Sequence, residues 1–359
     1  MNNPITLNMN NEERFTKLTR GITEIITPDE ARELLARGGD LKAYWGIEPS
    51  GSVHIGQALI GARKVKDLAD LGFHVNILLA DWHALINDKL DGTFESIQIC
   101  GRYLEDCLKG LGADSPNIHY VVGSDLVDEK EYWEKVVKIS KASSVARIKR
   151  AMTIMGRSED EADADASKLI YPAMQAADIF HQDLDLAIGG MDQRHAHMLA
   201  RDVAPKLGYK KPVALHWPLL MGLQGGGRMD AAESKMSKSN PDSAVFLHDP
   251  PELVQAKLKK AFCPQAQVED NPVLEHARLV IFPELGKMEI KRPEKFGGDL
   301  HFNTYEELAA AFGEGKVHPM DLKSAVASHI SEILMPVQNY LQDHPENFSK
   351  LRQIVGARK

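Results

Sequence analysis

The apolar positions in the first third of the chain alternate between two kinds of spacing. Residues 41–47 have the composition of a strand, and 74–80 are a nearly continuous apolar run, as expected of a parallel strand buried on both faces. Between them, apolar residues recur at the spacing of one helix face: Leu59, Ile60, Ala62, Val65 and Leu68. A helix over 96–111 and a strand over 118–122 repeat this order. The pattern predicts an α/β fold with a Rossmann-like, doubly wound parallel sheet.

This regular order is interrupted in the middle of the chain and ends before its last third. Residues 130–166 are helical in pattern, basic at first and then acidic, which predicts a helical insertion over about 125–168. The predicted elements that follow are a helix over 169–180, a strand over 184–188, a helix over 191–207 and a strand over 212–216. From Pro250-Pro251 onward the pattern is mainly helical.

These changes divide the chain into three predicted parts. Residues 1–27 are polar and are expected to form a loosely attached N-terminal arm. Thr27 and Pro28 suit a helix cap and a first helical position, so a folded domain is expected to begin there. This catalytic domain spans 28–249 and contains the insertion, and a helical domain follows over 250–359.

Composition and charge narrow the functional classes only slightly. The 359 residues carry a formal net charge of -8, so binding to a nucleic acid would need a local basic surface. Three cysteines are too few for a disulfide framework or a four-cysteine zinc site. No apolar run reaches the roughly 18–20 residues of a membrane span, and the N-terminus lacks the apolar stretch of a signal peptide. These features predict a cytoplasmic protein.

The segment after the first long strand has the chemistry of a nucleotide site. A strand that ends in residues 49–52 (Pro-Ser-Gly-Ser) and runs into a helix presents backbone N–H groups and the positive end of the helix dipole to an anion. Ser50 and Gly51 let a nucleotide approach the backbone closely. His54 and Gln57 lie three residues apart, and both can donate to phosphate or ribose oxygens. Taken alone, His54 would more simply be a helix cap.

A second segment, much later in the chain, carries two lysines on a loop that begins with glycines. Gly225, Gly226 and Gly227 precede residues 235–239, whose sequence is Lys-Met-Ser-Lys-Ser. A loop of this kind can close on a triphosphate and place its ammonium groups where pyrophosphate leaves. A solvated basic loop would have the same composition.

Three polar residues share one stripe of the helix predicted over 169–180. Tyr171, Gln175 and Asp178 are spaced i, i+4 and i+7. A hydroxyl, an amide and a carboxylate on one face suit a polar ligand with a cationic end. A hydrogen-bonded contact between two helices would also explain them.

The two loop segments described above occur in the order of the "HIGH" and "KMSKS" motifs of class I aminoacyl-tRNA synthetases. Segment 49–57 resembles the first motif, and segment 235–239 resembles the second. Six blocks narrow the resemblance to tyrosyl-tRNA synthetases of the archaeal and eukaryotic type: 43–51, 80–87, 171–178, 189–194, 291–300 and 318–323. The resemblance covers nearly the whole chain. The resemblance implies ATP-dependent activation of L-tyrosine to tyrosyl-adenylate, followed by transfer of tyrosine to the 3'-terminal adenosine of tRNA(Tyr).

The resemblance also implies roles for individual residues. Tyr44 and Asp178 would hydrogen-bond the phenol of tyrosine, and its α-ammonium group would be held by Tyr171, Gln175 and Gln193. The catalytic residues would be His54, Gln57, Lys235 and Lys238. ATP, brought with Mg²⁺ and without a protein-held metal site, would contact Ser50, Gly51, His54, Gly56, Gln57, Lys235, Met236, Ser237, Lys238 and Ser239. Gln57 stands where the family often has histidine, which leaves its individual role open.

On the tRNA side, the resemblance implies two contact regions and a homodimer. Arg147, Lys149 and Arg150 of the insertion could contact the acceptor stem or form a solvated face, and the family also uses this insertion for dimerisation. Phe296 could stack on an anticodon base, and Asp321 could accept hydrogen bonds from it. An acidic residue at a helix start, such as Asp321, is also favoured on electrostatic grounds alone.

Three rival functions fit parts of this pattern. A tryptophanyl-tRNA synthetase shares the fold and the reaction, but an indole N–H does not need both Tyr44 and Asp178. A nucleotidylyltransferase shares the HxGx helix but does not require the C-terminal half. A non-catalytic RNA-binding relative would not need to keep His54 and the lysine motif. The remaining histidines of interest are expected to be structural or to line the pocket rather than to bind metal: His83, His195 and His197.

Overall fold

The computed structural model describes residues 9–155, 165–225, 236 and 241–356, and its centre is a six-stranded sheet. The strands are β1 (Glu24–Ile26), β2 (Leu41–Ile47), β3 (Phe73–Leu79), β4 (Ile118–Val122), β5 (Leu186–Gly190) and β6 (Val213–Trp217). Their order across the sheet is β1-β6-β5-β2-β3-β4. All neighbours pair in parallel except β1, which is antiparallel to β6. The predicted, mostly parallel doubly wound sheet is confirmed.

Both faces of the sheet are buried. Successive residues of one strand point to opposite faces, and each face packs in its own apolar core. Ile77 belongs to the core that contains the first helices, and Leu78 to the core beside the insertion. The helices of this half of the chain are α1 (Asn11–Thr19), α2 (Pro28–Arg37), α3 (Ile55–Asp70), α4 (Asp81–Ile86), α5 (Phe94–Gly110), α6 (Gly123–Val127), α7 (Lys130–Lys141), α8 (Val145–Ala151), α9 (Ala166–His181) and α10 (Arg194–Leu207). This two-sided burial explains the near-continuous apolar run of β3.

The expectation of a loosely attached N-terminal arm is wrong for its described residues. Helix α1 begins with a capping box formed by Asn10 and Glu13, and it buries Leu18 completely. The buried Lys64 donates to the carbonyl of Leu18 at 3.0 Å, and β1 then joins the sheet edge beside β6. A nine-residue helix that buries one leucine, followed by a three-residue strand, carries too little apolar pattern to be predicted.

The insertion lies against the helix that carries the polar stripe. Helix α7 packs along α9, and α8 continues into a 3₁₀ turn at Met152–Met155. The acidic stretch of the insertion lies outside the described residues. On α7, Tyr132, Val136 and Ile139 face inward and are buried, whereas Val137 is exposed. The insertion is therefore helical as predicted, and its first helix forms part of the wall behind α9.

The C-terminal region is mainly helical, as predicted, with one small hairpin that the sequence pattern did not indicate. Its elements are α11 (Pro251–Lys260), α12 (Pro272–His276), a π-helical turn (Ala277–Ile281), α13 (Phe282–Leu285), β7 (Met288–Ile290), β8 (Leu300–Phe302), α14 (Tyr305–Gly313), α15 (Pro319–Asp343) and α16 (Pro345–Gly356). The two hairpin strands pair antiparallel, with three residue pairs. The division of the chain into three domains stays a prediction.

Candidate active site

A cavity of about 540 Å³ opens at the carboxyl ends of the parallel strands. It lies where the strand order changes direction, between β2 and β5, which is the usual ligand position in doubly wound sheets. The predicted site residues that line it are Tyr44, Ser50, His54, Gly56, Gln57, Tyr171, Gln175, Gln193 and Met236. Residues far apart in the sequence thus meet around one volume, as the sequence analysis predicted.

The first motif forms the turn from β2 into α3. His54 caps this 16-residue helix: its Nδ1 accepts the backbone N–H of Gln57 at 3.2 Å. Gly51 has φ of +114°, a conformation that favours glycine, and its N–H donates to Cys100 Sγ at 3.1 Å. Within the described residues, the buried Oε1 of Gln57 has no hydrogen-bond partner. The helix start therefore places the capping ring of His54 and the unsatisfied amide oxygen of Gln57 at the cavity.

The second motif reaches the same cavity through its second residue, Met236. Met236 is buried, lines the cavity, and donates its N–H to the carbonyl of Leu220 at 3.0 Å. The other four residues of 235–239, which include both predicted catalytic lysines, lie outside the described residues, as do Gly226 and Gly227.

The buried carboxyl group of Asp178 lies behind the part of the cavity wall formed by Tyr44 and His83, and we call this region the inner end of the cavity. Asp178 Oδ1 accepts from the hydroxyl of Tyr132 at 2.8 Å, and the Tyr44 hydroxyl also interacts with this carboxylate. Asp178 Oδ2 has no hydrogen-bond partner in the described part of the chain; His83 Nε2 is nearest, at 3.4 Å. Both ring nitrogens of His83 also lack a hydrogen bond there. A ligand hydroxyl group, which can both donate and accept, would pair with this unmatched buried oxygen.

Burial sets the protonation of this end of the cavity. It raises the pKa of Asp178 to about 8, although hydrogen bonds from Tyr132 and Tyr44 act in the opposite direction. It also lowers the pKa of His83 to about 4, so this imidazole is neutral at physiological pH. Burial and the nearby carboxylate together raise the pKa of Tyr44 well above its ordinary value, which keeps its hydroxyl protonated.

The outer part of the cavity gathers acceptors suited to a cation. The hydroxyl of Tyr171 donates to Glu48 Oε1 at 2.6 Å, and Gln175 Nε2 donates to Gln193 Oε1 at 2.9 Å. The buried Oε1 of Gln175 has no partner within the described residues. Asn87 Nδ2 donates to both carboxylate oxygens of Glu48 at 3.2 Å and fixes its orientation.

Glu48, Tyr132 and Asn87 are site residues that the sequence analysis missed. Glu48 lies inside the block 43–51, and Asn87 is the last residue of the block 80–87. The family resemblance of these two blocks could therefore have identified both residues. Tyr132 lies outside every block, on the inward face of an amphipathic helix, where an aromatic residue is usually part of the core.

Comparison with known proteins identifies the family that shares this arrangement. The family model "tRNA synthetases class I (W and Y)" matches residues 36–335. The chain belongs to this family. The tyrosine--tRNA ligase of Sulfolobus acidocaldarius is 52% identical over 340 residues, which cover 92% of this chain and 94% of that protein. The ligase of Sulfurisphaera tokodaii is 50% identical over 348 residues, 95% of both chains.

A solved structure shows the same relationship in three dimensions. The tyrosyl-tRNA synthetase of Pyrococcus horikoshii, complexed with L-tyrosine, is 41% identical and superposes with a TM-score of 0.90 over 96% of this chain and 100% of that one. The resemblance to archaeal tyrosyl-tRNA synthetases, inferred from the sequence blocks, is confirmed. The class I fold with a helical C-terminal region is confirmed as well.

The residues predicted to contact tRNA lie outside the cavity. Arg147 forms an ion pair with Asp202 at 2.9 Å, whereas Lys149 is exposed. Phe296 is 61% exposed, and Asp321 lies in the first turn of α15. Arg292 donates to the carbonyl of Lys316 at 3.2 Å, which holds the loop of Phe296 against the residues that precede α15.

The histidines and acidic residues do not assemble into a metal centre in the described part of the chain. There, no group of three or more His, Cys, Asp or Glu side chains could hold a metal ion. His83 lines the cavity as expected, and His197 is buried, with its Nδ1 at 3.0 Å from His216 Nε2. None of the described helices combines the length and apolar character that crossing a membrane requires.

Gly46 is the position at which a single methyl group should damage the inner end of the cavity. A Cβ there would lie 2.2 Å from the Tyr44 hydroxyl oxygen, so Gly46→Ala must displace the Tyr44 side chain. Losing one buried hydrogen bond of about 1.4 kcal/mol corresponds to a roughly tenfold rise in KM for the amino acid. Steady-state kinetics would measure this rise, with KM for ATP unchanged.

Gly110→Ala is the matched control for this substitution. Its Cβ would lie 2.9 Å from Cα of Val337, at the contact between α5 and α15. This variant should lower the thermal unfolding midpoint without raising KM for the amino acid. If both glycine variants raised KM equally, the effect would be general destabilisation and the assignment of Tyr44 would fail.

Proposed function

We propose that this chain activates L-tyrosine with ATP to tyrosyl-adenylate and transfers the tyrosine to the 3'-terminal adenosine of tRNA(Tyr), as the names of its relatives indicate. One observation carries the assignment of tyrosine: the buried Asp178 Oδ2 has no hydrogen-bond partner among the described residues, and Asp178 lies next to Tyr44, which lines the cavity. A phenol supplies the missing donor and fits between these two side chains.

In the first step, an oxygen of the tyrosine carboxylate attacks the α-phosphorus of ATP. A new P–O bond forms, the bond to the β-phosphate bridging oxygen breaks, and pyrophosphate leaves. The chain's own part is to align the reactants and stabilise the charge on the phosphoryl oxygens. We assign this to His54 and Gln57 at the start of α3, and to Lys235 and Lys238 at the departing pyrophosphate.

In the second step, a ribose hydroxyl of the terminal adenosine attacks the carbonyl carbon of the adenylate. The ester bond to tRNA forms, the bond between the carbonyl carbon and the phosphate oxygen breaks, AMP leaves with that electron pair, and the hydroxyl proton is released. Mg²⁺ arrives as the counter-ion of the ATP phosphates, which accords with the usual way this ion binds through substrate oxygens.

Selection of tyrosine follows from the cost of leaving buried polar atoms unpaired. Phenylalanine would leave the buried Asp178 Oδ2 without a partner, at about 1–3 kcal/mol for an unsatisfied group. At the other end, Glu48 contributes a carboxylate to the cluster of Tyr171, Gln175 and Gln193, and Lys89 Nζ, 3.6 Å from this carboxylate, offsets part of its charge. We assign the α-ammonium group of tyrosine to this cluster.

Calorimetric titration with amino acids tests this assignment without tRNA. The apo protein should bind tyrosine at least about tenfold more tightly than phenylalanine or tryptophan, because only the phenol satisfies Asp178. Equal affinity for tyrosine and phenylalanine would contradict the role of the inner carboxylate. Preference for tryptophan would move the chain to the other branch of its family.

We assign anticodon recognition to the C-terminal region and dimerisation to the insertion. The exposed ring of Phe296 can stack on a base. Exposed apolar side chains of the insertion, Val137 and Val145, suit burial against a second copy of the chain. A cytoplasmic location agrees with the tRNA substrate.

Asp321→Ala should separate the tRNA contact from the chemistry. If Asp321 accepts hydrogen bonds from an anticodon base, the variant raises KM for tRNA by about tenfold, the value of one lost hydrogen bond. Pyrophosphate exchange without tRNA should stay unchanged. Asp299→Ala, in the β7–β8 hairpin that packs against α15, is the control for local disruption, since the Asp299 carboxylate accepts from the Arg292 N–H at 2.8 Å. Unchanged KM for tRNA in D321A would reject the contact.

A further inference from the structure

The insertion contributes one side chain to the inner end of the cavity. Tyr132 lies on α7, is completely buried, and donates its hydroxyl hydrogen toward Asp178 Oδ1 at 2.8 Å. The same hydroxyl oxygen lies 3.2 Å from the carbonyl of Met174, one turn earlier on α9. Its ring packs edge-on against Trp133 and His181, so the side chain has a fixed position.

This contact divides the two oxygens of Asp178 into different roles. Oδ1 is occupied by a donor from the protein, and Oδ2 has no partner among the described residues. A carboxylate with one oxygen fixed cannot rotate about its Cβ–Cγ bond without losing that hydrogen bond. The other oxygen, Oδ2, is therefore held in one direction, 3.4 Å from Nε2 of His83, a residue that lines the cavity.

We propose that Tyr132 is a positioning residue for substrate selection: through its hydroxyl, the insertion helix fixes the direction in which Asp178 receives the substrate phenol. This inference rests on the proposed function. Tyr132 does not touch the substrate in this account. It acts by fixing the orientation of the Asp178 carboxyl group. Oδ2 then cannot turn to another partner, so a substrate without a hydroxyl group leaves this oxygen unsatisfied and binds more weakly.

Tyr132 also affects the ionisation of this carboxylate. Burial raises the pKa of Asp178, and the hydrogen bond from Tyr132 lowers it. The other titratable groups that face Asp178 are Tyr44 on β2, His83 on α4 and Tyr171 on its own helix. None of these three carries a charge at neutral pH, because burial raises both tyrosine pKa values and lowers that of His83.

Tyr132→Phe removes only the hydroxyl group and tests the proposal in the full chain. The dissociation constants of tyrosine and phenylalanine are measured by calorimetry between pH 6 and pH 8.5. Their ratio cancels the titration of the α-ammonium group, which both ligands share. Y132F should weaken tyrosine binding by about tenfold and leave phenylalanine binding nearly unchanged. The ratio of the dissociation constant of phenylalanine to that of tyrosine should rise with pH as Asp178 ionises, and in Y132F this rise should occur at a higher pH.

Tyr120→Phe is the matched control. Tyr120 is also largely buried, and its hydroxyl donates to the carbonyl of Ala113 at 2.8 Å, away from the cavity. Y120F should lose about as much stability as Y132F. Its ratio of dissociation constants for phenylalanine and tyrosine, and the pH dependence of this ratio, should stay as in the wild type. If Y132F kept the wild-type ratio, or changed it no more than Y120F, the proposal would be overturned. A wild-type protein that does not prefer tyrosine would instead refute the proposed function itself.

Discussion

Replacing His54 with asparagine is expected to slow adenylate formation by about 10²–10³-fold, the usual effect of removing one donor to a transition-state oxygen. The geometry gives the reason. His54 Nδ1 accepts the Gln57 N–H at 3.2 Å, so in the neutral ring the proton is on Nε2. This assignment makes His54 a donor on the side away from the helix cap. The ring lines the cavity at the start of α3, where the phosphates are expected.

Asparagine is the informative replacement because it retains one of the two roles of His54. Asn is among the preferred N-cap residues and can accept the Gln57 N–H through its side-chain oxygen. The unfolding midpoint of H54N should therefore stay near the wild-type value, whereas His54→Ala should lose about 1 kcal/mol of stability from the lost cap. Pyrophosphate exchange and thermal unfolding measure the two effects separately. A wild-type exchange rate in H54N would show that the histidine is only a cap.

At pH 8.5, above the pKa of about 8 that burial gives Asp178, Asp178→Asn is expected to reduce kcat/KM for tyrosine by about 10–150-fold, since a hydrogen bond to a charged group contributes about 1.5–3 kcal/mol. The variant keeps the size of the side chain and an acceptor for Tyr132. It replaces one carboxylate oxygen with an N–H donor, which cannot accept the phenol. The value of kcat/KM for phenylalanine should change little, so discrimination between the two amino acids narrows. Exchange kinetics with both amino acids measure this.

The same variant should change how stability depends on pH. Burial raises the pKa of Asp178 to about 8 in the folded chain, well above its value when unfolded. The folded state then holds a proton that the unfolded state releases, so this group's contribution to stability falls as the pH rises from about 4 to about 8. D178N removes that part of the pH dependence, and the unfolding midpoint at pH 8 should not decrease.

Asp185→Asn is the control for this measurement. Asp185 is also buried, but hydrogen bonds from Arg37, the Lys42 N–H and Lys210 outweigh the burial and lower its pKa. Asp185 therefore stabilises the fold at pH values above its pKa in the unfolded chain, and this stabilisation is lost as the pH falls. The pH dependence is opposite in sign to that of Asp178. D185N should lose stability at neutral pH without affecting selection of tyrosine. A loss of selectivity in D185N equal to that in D178N would contradict the assignment.

The longer strands of the sheet could be predicted from the sequence because burial on both faces gives them nearly continuous apolar runs. Strands β2 and β4 have the predicted bounds, since each of them is bounded by clear turn residues or a helix. Strands β1, β7 and β8 have three residues each, too few to show any periodicity. Packing with distant segments determines these short strands, and a local pattern does not contain that information.

The site was predicted unevenly for similar reasons. The stripe of Tyr171, Gln175 and Asp178 has a visible helical spacing, and the structure places all three at or beside the cavity. Tyr44 was identified only through the family resemblance. Tyr132 could not be identified either way, because the contact between α7 and α9 that brings it to Asp178 is a tertiary contact between segments 46 residues apart.

The most direct test of the account is tyrosine-dependent exchange of pyrophosphate into ATP without tRNA, with phenylalanine and tryptophan in parallel. The account predicts exchange with tyrosine and, at the same concentrations, far slower exchange with the other two. Exchange driven by tryptophan would contradict the assignment of Tyr44 and Asp178 to a phenol. Absence of exchange with all three would contradict the assignment of the cavity as a site of amino-acid activation.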